Sequence, residues 1–401
     1  MENIAVIGSV GYPSKQGKIE TLVHHLVKEL GNKVRFTIYC STKNFPKSER
    51  LKSTFKLKLV YLPFKSKGFQ GIIYDSISMI HALFFAKTFL ILGVSTAFIL
   101  PFLRLFTSKK LIISINCIEW KRQKRNRFSR LLLKWSENIA IRWAHSIVTD
   151  NDAIKQYLYA EYSVLCERIE YGADHVLNVK PTRSDYKKYP FLSNPYAFKV
   201  ARIEQENNID IILEAFTQIN HNLIVVGNWN DSQYAIDLKE KYKNFENIIL
   251  LDSIYEQNTL DLLRSNCWLY IHGHSSGGTN LSLIEAMYLG LPIFAFDVVY
   301  NKETTEYKCE YFNSVETLRK SISMFNFFDL KSNGEKMLEI SLRRYTWKSM
   351  GTSYLRLFLL DKKVLNQNKK ITFLSSRDQK YLQRVERYQL IYRHHYFEEI
   401  D

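Results

Sequence analysis

Cysteine is scarce in this chain, and what there is lies scattered. Cys40, Cys117, Cys166, Cys267 and Cys309 form no CxxC pair. Several sit in apolar runs, where a cysteine behaves as a small buried hydrophobe. This argues against a disulfide scaffold or a zinc site and fits a reducing cytoplasm. Long apolar runs are also missing. The uncharged stretch Thr88–Leu103 is bounded tightly by Lys87 and Arg104, so it falls short of the ~20 residues a spanning helix needs. Gly93, Ser95 and Thr96 interrupt it, which predicts a buried strand over Thr88–Leu92, a glycine turn and then a buried helix. Met1 is followed almost at once by the strand-like run Ile4–Ile7, not by a basic segment and an apolar core, so no signal peptide is expected. There is no solenoid repeat, no low-complexity tract and no metal-ligand cluster. A GxGxxG dinucleotide fingerprint is absent too.

What is abundant is apolar and basic. At 401 residues and 46% hydrophobic, the chain can fill two large cores. Its net charge of +16 suits anionic partners: nucleic acid, anionic lipid or a diphosphate ligand. Recognition modules of the usual nucleic-acid-binding kinds are not visible, so nucleic acid is not expected. Short apolar runs alternate with helical patterns along most of the length. Runs at Ile4–Ile7, Val34–Cys40, Leu57–Leu62, Thr88–Leu92, Leu111–Ile115 and Ser146–Thr149 make a first set. Ala197–Arg202, Leu223–Gly227, Ile248–Asp252, Cys267–Ile271 and Ile293–Phe296 make a second. Between the two sets, Tyr186–Pro195 has two prolines and little periodicity and reads as a linker. Strands alternating with helices predict α/β architecture with doubly wound parallel sheets.

The chain is organised around Ile271–Glu306, which reads strand, glycine loop, helix, strand. Gly273, Gly277 and Gly278 lie in the loop, Asn280 is a candidate helix cap, and Gly290 and Pro292 stop the helix. Paired glycines let backbone amides approach a phosphate, and a helix N-terminus adds partial positive charge. Glu285, one turn into the helix, suits the vicinal hydroxyls of a sugar. Phosphate donors beside a hydroxyl acceptor suggest a nucleotide or nucleotide sugar. The same pattern also suits a tight turn with a solvated Glu285. Arg202, closing its strand, is placed to clamp a diphosphate; an inter-domain salt bridge is the alternative.

Asn116–Arg130 is the most basic patch, with Glu119 and Trp120 opening it and Lys121, Arg122, Lys124, Arg125, Arg127 and Arg130 crowding after. It reads either as a solvated loop or as a surface for anionic lipid headgroups or a pyrophosphate-bearing acceptor. A helix follows from about Phe128 to Ala144, with Leu132, Trp135, Ile139 and Trp143 as the stripe expected in the core. A further helix is expected over Tyr345–Leu360. Beyond it, Tyr381, Val385, Tyr388 and Tyr392 fall at helical spacing in a basic, tyrosine-rich tail.

Two segments, VARIEQENNIDIILEAF (Val200–Phe216) and HSSGGTNLSLIEAMYLGLPIFAFD (His274–Asp297), resemble the retaining family-4 GT-B glycosyltransferases. GSVGYPSKQGKIET (Gly8–Thr21), IEWKR (Ile118–Arg122), VTDNDAIKQYL (Val148–Leu158) and YGAD (Tyr171–Asp174) resemble one bacterial branch, which includes rhamnosyltransferases building capsule and cell-wall polysaccharide. The resemblance covers about residues 1–360. It implies two Rossmann-like domains facing a central cleft, at 1–187 (acceptor side) and 188–345 (donor side). A closing helix at 346–360 would return to the first domain, and the tail at 361–401 lies outside the resemblance. It also implies transfer of a hexose from a nucleoside diphosphate sugar, with dTDP-rhamnose favoured by the branch, to a lipid-linked saccharide at the inner membrane face. The protein would then be cytoplasmic and peripheral, without cofactor or metal.

The resemblance assigns roles one by one. Arg202 would hold the donor diphosphate and Glu285 the ribose. Gly277, Gly278, Thr279 and Asn280 would line the phosphate and sugar pocket, and Gly17 would close over the diphosphate. Beside these, Glu119 is a candidate to contact the acceptor hydroxyl, a carboxylate paired with Lys121 or Arg122 being the alternative, and Asn116 is a further catalytic candidate. The sequence also departs from the pattern. Gly277 stands for the first glutamate of the paired motif, and Asn207 for a phosphate-binding lysine. Lys18 stands for a second glycine, and Asn116-Cys117 for Asp-Gly. Lys18 is a candidate to restore the lost positive charge. The same departures suit a non-catalytic sugar-nucleotide or glycan-binding subunit.

Overall fold

The computed structural model describes residues 1–13, 17–66, 68–121 and 126–369. The chain forms two compact units, Met1–Glu170 with Met350 onward, and Tyr171–Ser349.

In the first unit, β1 (Asn3–Ile7) is followed by α1 (Lys18–Leu30), β2 (Arg35–Ser41), β3 (Leu57–Leu62), α2 (Phe69–Ala82) and β4 (Thr88–Leu92). Then come α3 (Leu100–Phe106), β5 (Lys110–Ser114), α4 (Arg127–Trp143), β6 (Ser146–Thr149), α5 (Asp152–Tyr162) and the two-residue β7 (Glu167–Arg168). The seven strands pair in parallel in the order β3-β2-β1-β4-β5-β6-β7. Helices cover both faces of such a sheet, which is why every residue of β4 and of β6 is buried. The order reverses between β1 and β4. There the glycine loop leaving β1 passes close enough to β4 that a Cβ on Gly8, whose φ is +92°, would stand 2.6 Å from the Leu92 carbonyl oxygen.

The second unit opens with α6 (Arg183–Lys188) and β8 (Tyr196–Val200), then α7 (Ile209–Phe216), β9 (Asn222–Val226), α8 (Gln233–Tyr242) and β10 (Ile248–Leu251). It continues through α9 (Gln257–Ser265), β11 (Leu269–His272), α10 (Leu281–Tyr288), β12 (Ile293–Phe296), α11 (Val299–Thr304) and β13 (Glu310–Phe312). α12 (Val315–Met324) and α13 (Phe327–Arg344) follow, and α14 (Trp347–Leu359) begins here and enters the first unit at Met350. α15 (Lys362–Lys369) ends the described chain. The sheet order is β10-β9-β8-β11-β12-β13, all parallel, with its reversal between β8 and β11. Ile209, Leu213 and Phe216 of α7 pack with Leu223 and Val225 of β9 and Leu269 and Ile271 of β11 in one core.

Several elements differ from the sequence expectation. Tyr186–Pro195 is not a bare linker: it holds the end of α6 and a 3-10 turn, Pro190–Ser193. α6 is started by a reciprocal cap between Thr182 and Asp185. The chain passes into the second unit at Tyr171, earlier than residue 187, because the intervening stretch is bonded there. The amides of Ala173, Leu177 and Val179 donate to Tyr345 O (2.9 Å), Asp261 Oδ2 (3.1 Å) and Ser265 Oγ (3.2 Å).

The expected core stripe of α4 is corrected too. Leu132 and Trp135 are exposed, and the buried residues are Ser136, Glu137, Ala140 and Ile141. The helix turns this face inward because its polar groups are satisfied there. Tyr157 and Tyr162 donate to Glu137 at 2.6 and 2.5 Å, and Ser136 donates to the Val94 carbonyl. Of the helix expected to be buried after Gly93, only Leu100 and Leu103 of α3 are covered. The stretch Tyr381–Tyr392 lies outside the described residues, as do Arg122, Lys124 and Arg125.

Candidate functional site

In a doubly wound parallel sheet, ligands bind outside the carboxyl ends of the strands where the order reverses. In the second unit that position belongs to the loops leaving β8 and β11, and the two are clamped together. Asn207, almost fully buried, donates from Nδ2 to the Arg202 carbonyl (2.9 Å), and its Oδ1 meets His274 Nδ1 at 2.9 Å. Asn208, at φ +47°, donates to the Gly273 carbonyl at 2.7 Å. The Ser275 amide and hydroxyl both reach the Glu206 carbonyl, at 2.8 and 3.0 Å. A Cβ on Gly273 would stand 2.2 Å from the Asn207 carbonyl oxygen, so only glycine allows this approach. The structure therefore uses Asn207, expected at the donor, as the clamp between the loops.

Arg202 lies two residues beyond β8 rather than closing it. The strand stops early because the chain turns there, with the Glu204 amide bonded to the Arg202 carbonyl (2.9 Å) and Ile203 buried. The Arg202 side chain is 63% exposed and pairs within its own loop, with Glu204 at 3.3 Å and Glu206 at 3.5 Å. An exposed guanidinium in such pairs keeps donors for a further anion. Gly277 has φ +99°, a backbone conformation that glycine adopts without strain, and Gly278 and Thr279 are buried. Asn280 caps α10 as expected, its Oδ1 accepting from the Ser282 amide at 3.0 Å.

Glu285 is buried, and it is not merely solvated. Its Oε2 pairs with Arg264 Nη1 and its Oε1 lies 3.1 Å from His175 Nε2. Arg264 is wholly buried and also meets Asp261 Oδ1 at 3.2 Å. The Trp347 indole, which can only donate, bonds His175 Nδ1 at 3.1 Å. His175 in its neutral form therefore carries its proton on Nε2, facing Glu285. Burial alone would push the Glu285 carboxyl up, but Arg264 and then His175 outweigh it and hold the pKa at about 2. Two bonds leave lone pairs on both oxygens, so this carboxylate is ionised, oriented and still able to accept hydroxyl donors.

The first-unit candidates also lie at carboxyl ends of strands. Gly17 caps α1 with φ +100°, and a Cβ there would stand 2.4 Å from a Glu20 carboxylate oxygen. The other Glu20 oxygen accepts from the Val10 amide at 3.1 Å and so pins the glycine loop. Lys18 forms an ion pair with the buried Asp150, just past β6. Beyond β5, Asn116 accepts from the Ser114 hydroxyl at 3.0 Å, and the Cys117 thiol donates to Glu119 Oε1 at 2.8 Å. Glu119 begins a 3-10 turn. Asp75, on α2, accepts from the Gly8 amide, yet burial outweighs that bond and pushes its pKa up to about 7.

Sequence reasoning missed His175, Arg264, Asp261, Glu20 and Asp75. His175 directly follows the YGAD motif, the one signal available. The partners of the others come from distant elements. Lys199 and His272, at the ends of β8 and β11, are fully buried, with no hydrogen-bond partner for their side-chain nitrogens among the described residues. Burial lowers Lys199 to about 7 and His272 well below its ordinary value.

Residues 183–308 match the family described as glycosyl transferases group 1, and residues 1–174 match a domain of unknown function, DUF1972. No curated protein sequence matches the chain. Among solved structures, sucrose-phosphate synthase from Thermosynechococcus elongatus is similar, with TM-score 0.74 and 15% identity, covering 89% of this chain and 98% of that one. HepE from Anabaena, solved in complexes with UDP and with UDP-glucose, has TM-score 0.68 and 13% identity; in the UDP complex 89% and 99% of the two chains are covered. The α,α-trehalose 6-phosphate synthase of Burkholderia multivorans has TM-score 0.67 and 11% identity over 89% and 96%. The chain has the GT-B fold of two Rossmann-like units, and its residues 183–308 match the group 1 glycosyltransferase family.

Proposed function

We propose that the chain transfers a hexose, rhamnose being favoured, from a nucleoside diphosphate sugar to a lipid-linked saccharide of a growing polysaccharide, with retention at the anomeric carbon. The observation that carries the donor reading is the clamped pair of loops leaving β8 and β11, with Arg202 exposed at one and Glu285 held ionised beside the other. That HepE, of similar fold, was solved with UDP and UDP-glucose supports a donor of this class. The rhamnose donor, the capsule or cell-wall acceptor and retention rest on the motif resemblance.

Glu285 accepts hydrogen bonds from the ribose hydroxyls, and the amides of Gly277, Gly278 and Thr279 line the phosphates. Arg202 swings from Glu204 and Glu206 onto the diphosphate. Negative charge grows on that group as the glycosidic bond breaks, so Arg202 and the amides stabilise the transition state more than the bound ground state. The departing phosphate oxygen takes the acceptor proton, and Glu119 orients the acceptor hydroxyl. No metal is required. Incubation with dTDP-rhamnose and related donors, followed by NMR of the product, should give a retained anomer. Arg202→Ala should lower kcat by about 100-fold. An inverted product, or full activity in Arg202→Ala, would sink the reading.

A second reading is a non-catalytic sugar-nucleotide or glycan-binding subunit. It is favoured by the engagement of Lys18 with Asp150 and of Glu119 with Cys117. Donor binding with no turnover against any acceptor extract would select it.

A further inference from the structure

The first unit carries an apolar face that its own core leaves uncovered. On α4, Phe128, Leu131 and Trp135 recur at i, i+3 and i+7, on one side of the helix, and all three are more than half exposed. Their exposures are 76%, 72% and 56%, far from the burial their types usually reach. α3 packs against α4 and adds Phe102 and Phe106, also more than half exposed, whose rings lie 4.9 Å apart. Scattered exposed leucines need no explanation, but aromatic and aliphatic side chains gathered on two neighbouring helices mark an interaction surface.

Charge identifies the partner. Between Ala97 and Ser136 the sequence has ten Lys and Arg against one carboxylate outside any buried site, Glu119. Arg127 and Arg130 are exposed on the same first turns of α4 that bear Phe128 and Leu131. The lone acid of α4, Glu137, is turned inward to Tyr157 and Tyr162. Glu119 and Glu161, the latter paired with Lys134 at 2.7 Å, are the partly exposed acids beside α4, and they leave Arg127 and Arg130 in excess. An exposed apolar stripe flanked by arginines in such excess is the pattern of a helix lying in a membrane interface. There the rings enter the headgroup boundary and the cations meet anionic lipid. A protein partner would need acidic groups arranged around the aromatics, whereas a bilayer offers apolar depth and diffuse negative charge together. No helix among the described residues is long and apolar enough to cross a membrane, so this contact lies along the surface.

We infer that the α3–α4 face docks the protein onto an anionic lipid bilayer, with Phe128, Leu131 and Trp135 entering the interface and Arg127 and Arg130 binding headgroups. This deepens the reading of a lipid-linked acceptor, but it is measured without any sugar transfer, so either can fail alone. The test is co-flotation of the full chain with vesicles of phosphatidylcholine alone or mixed equally with phosphatidylglycerol. Binding is expected to the mixed vesicles only, and to weaken at 0.5 M salt. Phe128→Ser/Leu131→Ser/Trp135→Ser should lose at least tenfold in partition coefficient while keeping its melting temperature, since these side chains are outside the core. Arg127→Gln/Arg130→Gln should lose severalfold and much of the salt dependence. The inference is overturned if the parent chain ignores mixed vesicles at low salt, or if the triple serine variant binds as well as the parent. It is also overturned if that variant instead turns a dimer into a monomer, which would make the face an interface between copies. Removal of residues 370–401 is a further arm. If it alone confers vesicle binding, the chain's own C-terminal segment is the occupant and the inference falls.

Discussion

Replacing Arg264 by methionine should destabilise the second unit strongly, and the structure indicates how much. The guanidinium is wholly buried and faces two carboxylates, Glu285 and Asp261. Methionine keeps much of the volume but strands both charges. Breaking a buried pair by removing one partner costs about 3–5 kcal/mol, because the remaining charge has lost its compensation in a low dielectric. Two effects push toward the lower end. His175 still reaches Glu285, and Glu285 can take up a proton, since its burial raises the pKa once Arg264 is gone. We therefore expect a loss of about 3 kcal/mol at neutral pH. Because the chain has two units, a global unfolding midpoint does not by itself assign the loss to one of them. Native-state hydrogen exchange read by mass spectrometry over peptides spanning residues 257–289 isolates the effect. Exchange there should speed up by about 100-fold, and peptides from β1 to β6 should not change. Arg264→Met/Glu285→Gln should recover part of the loss by removing one stranded charge. A loss below about 1 kcal/mol, or strictly additive variants, would refute the claim that this network is tightly coupled.

Three further outcomes follow from the same geometry. The pKa of Glu285 is depressed to about 2, so its network stabilises the fold above the ordinary carboxyl value near 4.5 and that contribution fades as pH falls toward 2. Glu306 is depressed to about 2 as well, so unfolding measured at pH 5 and pH 2.5 should show a loss in both chains, larger in the parent than in Glu285→Gln. Asp75 has the opposite sign. With its folded pKa raised to about 7, the folded state holds a proton the unfolded state releases, so stability declines as pH rises from about 4 through 7. Asp75→Asn, which keeps the acceptor for Gly8, should gain melting temperature over the parent at pH 8 but not at pH 4. Gly17→Ala forces a Cβ into a φ of +100° and against Glu20, and should cost about 1–2 kcal/mol in chemical denaturation. An unchanged midpoint would mean the loop relaxes freely.

Much of the fold was legible because parallel strands between helices appear as bounded apolar runs. β3, β4, β6 and β12 lie where the runs predict, to the residue. The cap Asn280 was readable because capping is local chemistry. Legibility ended where distant partners decide. The inward face of α4 is set by Tyr157 and Tyr162 receiving Glu137, so hydrophobicity alone pointed to the wrong side of that helix. Arg202 was read as part of a strand because nothing in its immediate sequence reveals the turn at Ile203. Glu285 was recognisable by motif. Its orientation depends on Arg264, 21 residues earlier, and on His175, 110 residues earlier, and no spacing rule links them. The capping signature at Thr182–Asp185 was visible in the sequence and marks the start of α6, which runs into the expected linker as far as Lys188.

The most direct test of the donor site is a thermal-shift titration of the whole chain against a panel of nucleoside diphosphate sugars. A ligand that binds only the folded state raises its melting temperature with concentration. At least one member of the panel should do so. Glu285→Gln, which keeps the hydrogen-bonding shape but removes the charge, should need about tenfold more of that ligand for the same shift. A panel with no effect on the parent, or a shift identical in Glu285→Gln, would contradict a sugar-nucleotide site at the loops leaving β8 and β11.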